Sequence, residues 1–114
     1  MKNRIDACFE KLKAENKKAL VTFITAGDPD MDTTEKCVLE MYNNGSDIIE
    51  IGVPFSDPIA EGATIQKASL RSLSGGTNLD KIFDLVKKLR TQTDKPMLLM
   101  TVSYTHLRAH ETKA

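Results

Sequence analysis

Asp47-Ile48-Ile49-Glu50-Ile51-Gly52-Val53, followed at once by Pro54-Phe55-Ser56-Asp57-Pro58, is the segment on which the fold turns. The first seven residues form a β-branched, apolar run of strand length, the pattern of a strand covered on both faces. Two prolines in the next five residues end it, because proline lacks the N–H a central strand must donate. Side chains alternate along a strand, so Ile49, Ile51 and Val53 share one face while Ile48, Glu50 and Gly52 share the other. A carboxylate on such a strand is costly to bury unless it is paired or protonated. Glu50 is therefore either a group that moves protons near neutral pH or a structural glutamate paired with a distant Lys or Arg. The loop beyond adds Asp57 and Glu61. Two carboxylates in reach of one another can divide acid and base roles; the alternative for Asp57 is solvated loop charge and turn geometry at Asp57-Pro58.

Outward from this strand the same unit repeats. Upstream, Ile5, Cys8, Phe9 and Leu12 mark one face of an amphipathic helix that ends near Lys17-Lys18. Ala19 to Thr25 reads as a buried strand, stopped by Ala26-Gly27-Asp28-Pro29-Asp30. Asp32 with Glu35 resembles a capping box, opening a helix to about Tyr42 that Asn43-Asn44-Gly45 closes. Downstream, Thr64 to Leu73 is a short helix closed by Gly75-Gly76. Thr77 with Asp80 starts another, whose apolar face is Leu79, Ile82, Phe83, Val86 and Leu89. Met97 to Thr101 is a third strand. Apolar strands alternating with amphipathic helices predict βαβ units and a parallel sheet. Two α/β architectures fit, an open doubly wound sheet and part of an eight-stranded barrel. Both place chemistry at the C-terminal ends of the strands.

Composition narrows the class without naming a reaction. The chain has 114 residues, 40% of them hydrophobic, with 16 basic residues balancing 16 acidic ones. The charge footprint of a general nucleic-acid binder is missing, so no nucleic-acid partner is expected. No apolar run spans a bilayer, and no apolar stretch follows the charged residues Met1 to Asp6, so neither a membrane segment nor a signal peptide is expected. Cys8 and Cys37 lack metal-ligand spacing and read as small buried apolar residues, which predicts a cytoplasmic protein without a metal site. Gly75-Gly76 follows a helix and reads as its C-cap, and no phosphate loop of the P-loop or dinucleotide kind is present.

Three blocks together resemble the tryptophan synthase alpha chain family. They are Phe23-Ile24-Thr25-Ala26-Gly27-Asp28-Pro29, the stretch from Asp47 to Ala60, and Thr64-Ile65-Gln66-Lys67-Ala68, with Leu98-Leu99-Met100-Thr101 also fitting. The resemblance covers about residues 1–101. It implies the N-terminal part of a (β/α)8 TIM barrel, incomplete at three strands. It implies retro-aldol cleavage of indole-3-glycerol phosphate to indole and glyceraldehyde 3-phosphate without a cofactor. Glu50 matches the family's catalytic glutamate, which moves the proton at indole C3. Glu61 falls where most members carry an aspartate acting on the indole N–H; it keeps the carboxylate and adds a methylene. Ala63 replaces a usual proline. Phe23 and Leu99 match positions lining the indole pocket. Pro54, Phe55, Ser56, Asp57 and Pro58 match the loop that docks on a beta subunit, in a tetramer of two alpha and two beta chains. Residues 102–114 read as a tail foreign to the family, artefactual and disordered, so His106 and His110, both within it, are not read as metal ligands. A barrel of this type needs about 250 residues and takes its phosphate site from loops after strands 7 and 8. The 114-residue chain alone is therefore expected to be inactive. The alternative is a non-catalytic chain that only docks on a beta subunit.

Overall fold

The computed structural model describes residues 3–56 and 62–101. Within them run α1 (Arg4–Ala14), β1 (Val21–Thr25), α2 (Met31–Asn43), β2 (Ile48–Gly52), α3 (Ala63–Ser74), α4 (Leu79–Arg90) and β3 (Met97–Met100). This is the element order that the sequence predicts. The strands form one parallel sheet in the order β1-β2-β3.

The side on which the helices pack decides between the two architectures. Val38 and Tyr42 of α2 and Ile82, Leu85 and Leu89 of α4 join Ile49 and Ile51 of β2 in one buried cluster. Each crossover thus sends one helix, α2 or α4, onto the same face of the sheet, while α3 borders the C-terminal ends of the strands. A doubly wound sheet carries helices on both faces; a barrel wall carries them on the outside only. With strands in sequential order, the described residues are a segment of barrel wall. Ile49 and Ile51 are fully buried, and each contributes about 1.5–3 kcal/mol in apolar burial.

Local chemistry fixes the helix ends, with two shifts from the sequence reading. Asp30, not Asp32, caps α2: its carboxylate accepts from the Thr33 N–H at 2.7 Å. Asn78, not Thr77, caps α4, accepting from the Lys81 N–H at 2.9 Å. The Thr77 hydroxyl is instead 2.9 Å from Ser72 Oγ. On α4 the buried residues are Ile82, Leu85 and Leu89. Leu79 and Phe83 remain exposed, because the sheet meets the Ile82–Leu89 flank and no described element packs on the other. Cys8 and Cys37 are half-buried free thiols rather than fully buried ones: α1 buries Leu12 alone, and α2 buries Thr34, Val38 and Tyr42. Burial pushes the Cys8 thiol up from its usual range.

Candidate active site at the C-terminal end of the sheet

Strand register sorts the site residues by face. Phe23, Glu50 and Leu98 are aligned across the three strands, and Thr25 and Gly52 align one pleat further on, with Met100 beside Gly52. These lie on the inner face, opposite Ile49 and Ile51. Glu50 is half-buried there, flanked by an aromatic ring on one side and an aliphatic chain on the other. No metal-holding cluster of His, Cys, Asp or Glu occurs among the described residues.

Leu99 has Ile51 as its register partner, which by pleat parity puts it on the side away from Phe23, with Leu98 and Met100 on the inner side. It is 39% exposed and lies outside the buried cluster. A run of apolar residues such as Met97–Met100 gives no alternation from which sequence alone could read that parity.

A narrow cleft of about 10 Å³, room for one water, opens one pleat beyond Glu50, lined by Phe23, Thr25, Gly52, Val53, Ile65, Ser69 and Met100. Helix α3 supplies its far wall through Ile65 and Ser69. Gly52 is essential to its shape: a Cβ there would fall 2.5 Å from Phe23 Cζ. The Phe23 ring therefore lies across a position that must carry no side chain. A glycine inside a strand often marks such close approach, and the sequence offered that signal.

The loop after β2 is described only in part. Pro54 is buried, Phe55 is half-buried and Ser56 is exposed. The Val53 N–H donates to the Met100 carbonyl at 2.8 Å, extending the β2–β3 pairing to the loop's start. Asp57, Pro58 and Glu61 lie outside the described residues, as does the segment 102–114. The structure therefore brings Glu50 and Phe23 together, separates Leu99 from them, and does not locate Glu61.

The first βα loop is held more tightly than its sequence suggests. The Gly27 N–H donates to Thr34 Oγ1 at 2.9 Å, and the Thr34 hydroxyl donates to the Asp30 carbonyl at 2.9 Å. Arg71 of α3 bonds the Asp28 carboxylate through Nε and Nη2 at 2.8 and 3.0 Å. That carboxylate raises the Arg71 pKa further.

Comparison with known proteins agrees with this geometry. The profile of the family described as "Tryptophan synthase alpha chain" matches residues 9–111, a span that runs past Thr101. The tryptophan synthase alpha chain of Geotalea uraniireducens is 58% identical over 98 residues, covering 86% of this chain and 37% of that one. The crystal structure of tryptophan synthase subunit alpha from Legionella pneumophila superposes with a TM-score of 0.87 at 38% identity, covering all of this chain and 42% of that one. A chain from the tryptophan synthase a2b2 complex of Pyrococcus furiosus matches with a TM-score of 0.71 at 41% identity, covering 80% of this chain and 36% of that one. The chain thus spans well under half the length of the relatives it matches.

Proposed function

The chain belongs to the tryptophan synthase alpha chain family, and on that premise we propose that it supplies the first three strands of a lyase that cleaves indole-3-glycerol phosphate to indole and glyceraldehyde 3-phosphate. The observation that carries this reading is Glu50, half-buried on the inner face between Phe23 and Leu98. Apolar walls on either side suit an indole ring, and the carboxyl between them is placed to exchange a proton with a ring carbon. Phe23 forms one wall. Met100, sharing the Gly52 row, takes the lining role that the sequence reading gave to Leu99. Glu61 supplies the second carboxyl, acting on the indole N–H from the loop after β2. Dividing the two proton transfers between separate carboxyls lets each act at its own site on the ring.

The segment Pro54, Phe55, Ser56, Asp57 and Pro58 is proposed to dock on a beta subunit. The match to a chain from an a2b2 complex supports such a partner. No described helix is long and apolar enough to cross a membrane, and the proposed place of work is the cytoplasm. The 114-residue chain alone is proposed to be inactive, since the phosphate loops of a barrel follow strands 7 and 8.

The test joins residues 1–101 to the remaining βα units of the Geotalea uraniireducens relative and follows indole release. Glu50→Gln is expected to lower kcat by about 10²–10⁴-fold while the protein still folds. Turnover that survives Glu50→Gln would sink the assignment of the proton-transfer role. Indole production by the 114-residue chain at a full-length rate would sink the claim that it is inactive alone.

A further inference from the structure

Helix α3 is fastened at its C-terminal end. At its last turn Arg71 forms the two-pronged bond to Asp28 already described. The next residue, Ser72, is fully buried. Its hydroxyl donates to the Ala26 carbonyl at 2.5 Å and lies 2.9 Å from Thr77 Oγ1. Gly27, at φ +81°, is packed so closely beneath that an added Cβ would sit 2.1 Å from Thr77 Oγ1 and 2.6 Å from Ser72 Oγ. At the other end α3 starts from Gly62, at φ +94°, with no side-chain cap among the described residues. Between the ends, Ile65 and Ser69 wall the cleft above Glu50.

We propose that Asp28 and Arg71 are positioning residues: their clasp makes the first βα loop and α3 one rigid unit, and so sets the α3 wall of the cleft. Ser72 alone fixes a distance to the Ala26 carbonyl. The planar guanidinium, bound at both nitrogens to both carboxylate oxygens, fixes an orientation as well. What the cleft binds rests on the preceding reading; the mechanical coupling does not.

Hydrogen exchange on the 114-residue chain tests the coupling. Arg71→Met and Asp28→Asn are each expected to speed exchange about two- to fivefold. The increase is expected to be parallel in residues 26–34 and 63–74, with 79–90 unchanged. The charge swap Asp28→Arg/Arg71→Asp is expected to restore most of the protection, and Arg71→Lys only part, since lysine cannot bond both oxygens in a fixed plane. Acceleration confined to one segment, a swap no better than Arg71→Met, acceleration spreading equally into 79–90, or no change in either single variant would each overturn the proposal. So would a wild-type chain that exchanges both segments at unfolded-chain rates. Because exchange is read without turnover, failure of the clasp leaves the proposed reaction standing, and the converse holds.

Discussion

The two faces of the sheet differ in what covers them. On the outer face, Ile49 and Ile51 meet Val38, Tyr42, Ile82, Leu85 and Leu89, and every one of these is buried. On the inner face, Val21, Phe23, Leu98 and Met100 are 38–44% exposed, and Glu50 sits among them; on the outer side only Leu99, on the edge strand β3, is comparably open among the strand residues, at 39%. The same three strands therefore present a packed apolar interior on one side and a carboxyl between open apolar walls on the other. Stability belongs to the first and proposed chemistry to the second. A single pleat step, from Glu50 to Ile51, crosses between them.

The sharpest way to break that contrast is a pair of truncations. Ile51→Ala removes a fully buried side chain from the outer cluster and is expected to cost about 2–5 kcal/mol. Phe23→Ala, although it deletes more atoms, is expected to cost less than half as much in this chain, because its ring is already 38% exposed. Denaturant unfolding of both variants reads the difference. Equal losses would mean that the inner face carries stability too.

Gly27→Ala should come next in size. The position combines φ +81° with no room for a methyl group between Ser72 and Thr77. Strain and overpacking together are expected to cost about 1–3 kcal/mol. Gly45→Ala shares the positive φ but has nothing within 4 Å, so it isolates the backbone part. If the two variants lose the same stability, the crowding around Ser72 contributes nothing.

How far the sequence could anticipate this depends on which residues carry a local signal. The strand Ile48–Gly52 announced itself, and Glu50 stood out because a charge there breaks an apolar run. The order of the helices and strands followed from periodicity. The side that Leu99 faces was not legible, because Met97-Leu98-Leu99-Met100 is apolar at every step and only pairing to β2 defines its parity. The caps moved by one or two residues because Asp30, Asp32, Thr77 and Asn78 all have side chains able to cap. Asp28 and Arg71 are 43 positions apart, so no local pattern could connect them.

Parity on β3 gives a smaller and more selective test. In the completed enzyme described above, Met100→Gln is expected to raise KM for indole-3-glycerol phosphate about three- to tenfold with little change in Tm. Leu99→Gln is expected to do the reverse, lowering Tm while leaving KM near its starting value, since it shares a face with Ile51. The opposite pattern would return Leu99 to the pocket and reverse the assignment of the two faces.

The smallest expected effect concerns pH and the outer layer alone. The Thr33 backbone N–H, with further help from the Thr33 side chain, holds the Asp30 carboxyl below its ordinary pKa. A group depressed in the folded state stabilises it above the unfolded value, near about 3.9 for aspartate, and that contribution fades as pH falls through the lower folded value. Glu35 titrates in the same direction, held down first by the Gln92 side chain and then by the Lys88 charge; its bond to Gln92, at 2.9 Å, ties α2 to the residues just past α4. Asp30→Asn keeps a capping oxygen but does not titrate, so its Tm is expected to fall less steeply than wild type below about pH 4. Glu35→Gln should flatten the profile independently, because Asp30 is held by Thr33 and Glu35 by Gln92, with no hydrogen-bond partner in common. Near pH 7, where each wild-type group is ionised, that stabilisation is complete and all three profiles should run flat. A Tm profile in which neither variant differs in slope from wild type between about pH 2.5 and 5 would show that these two carboxyls carry none of the chain's acid sensitivity.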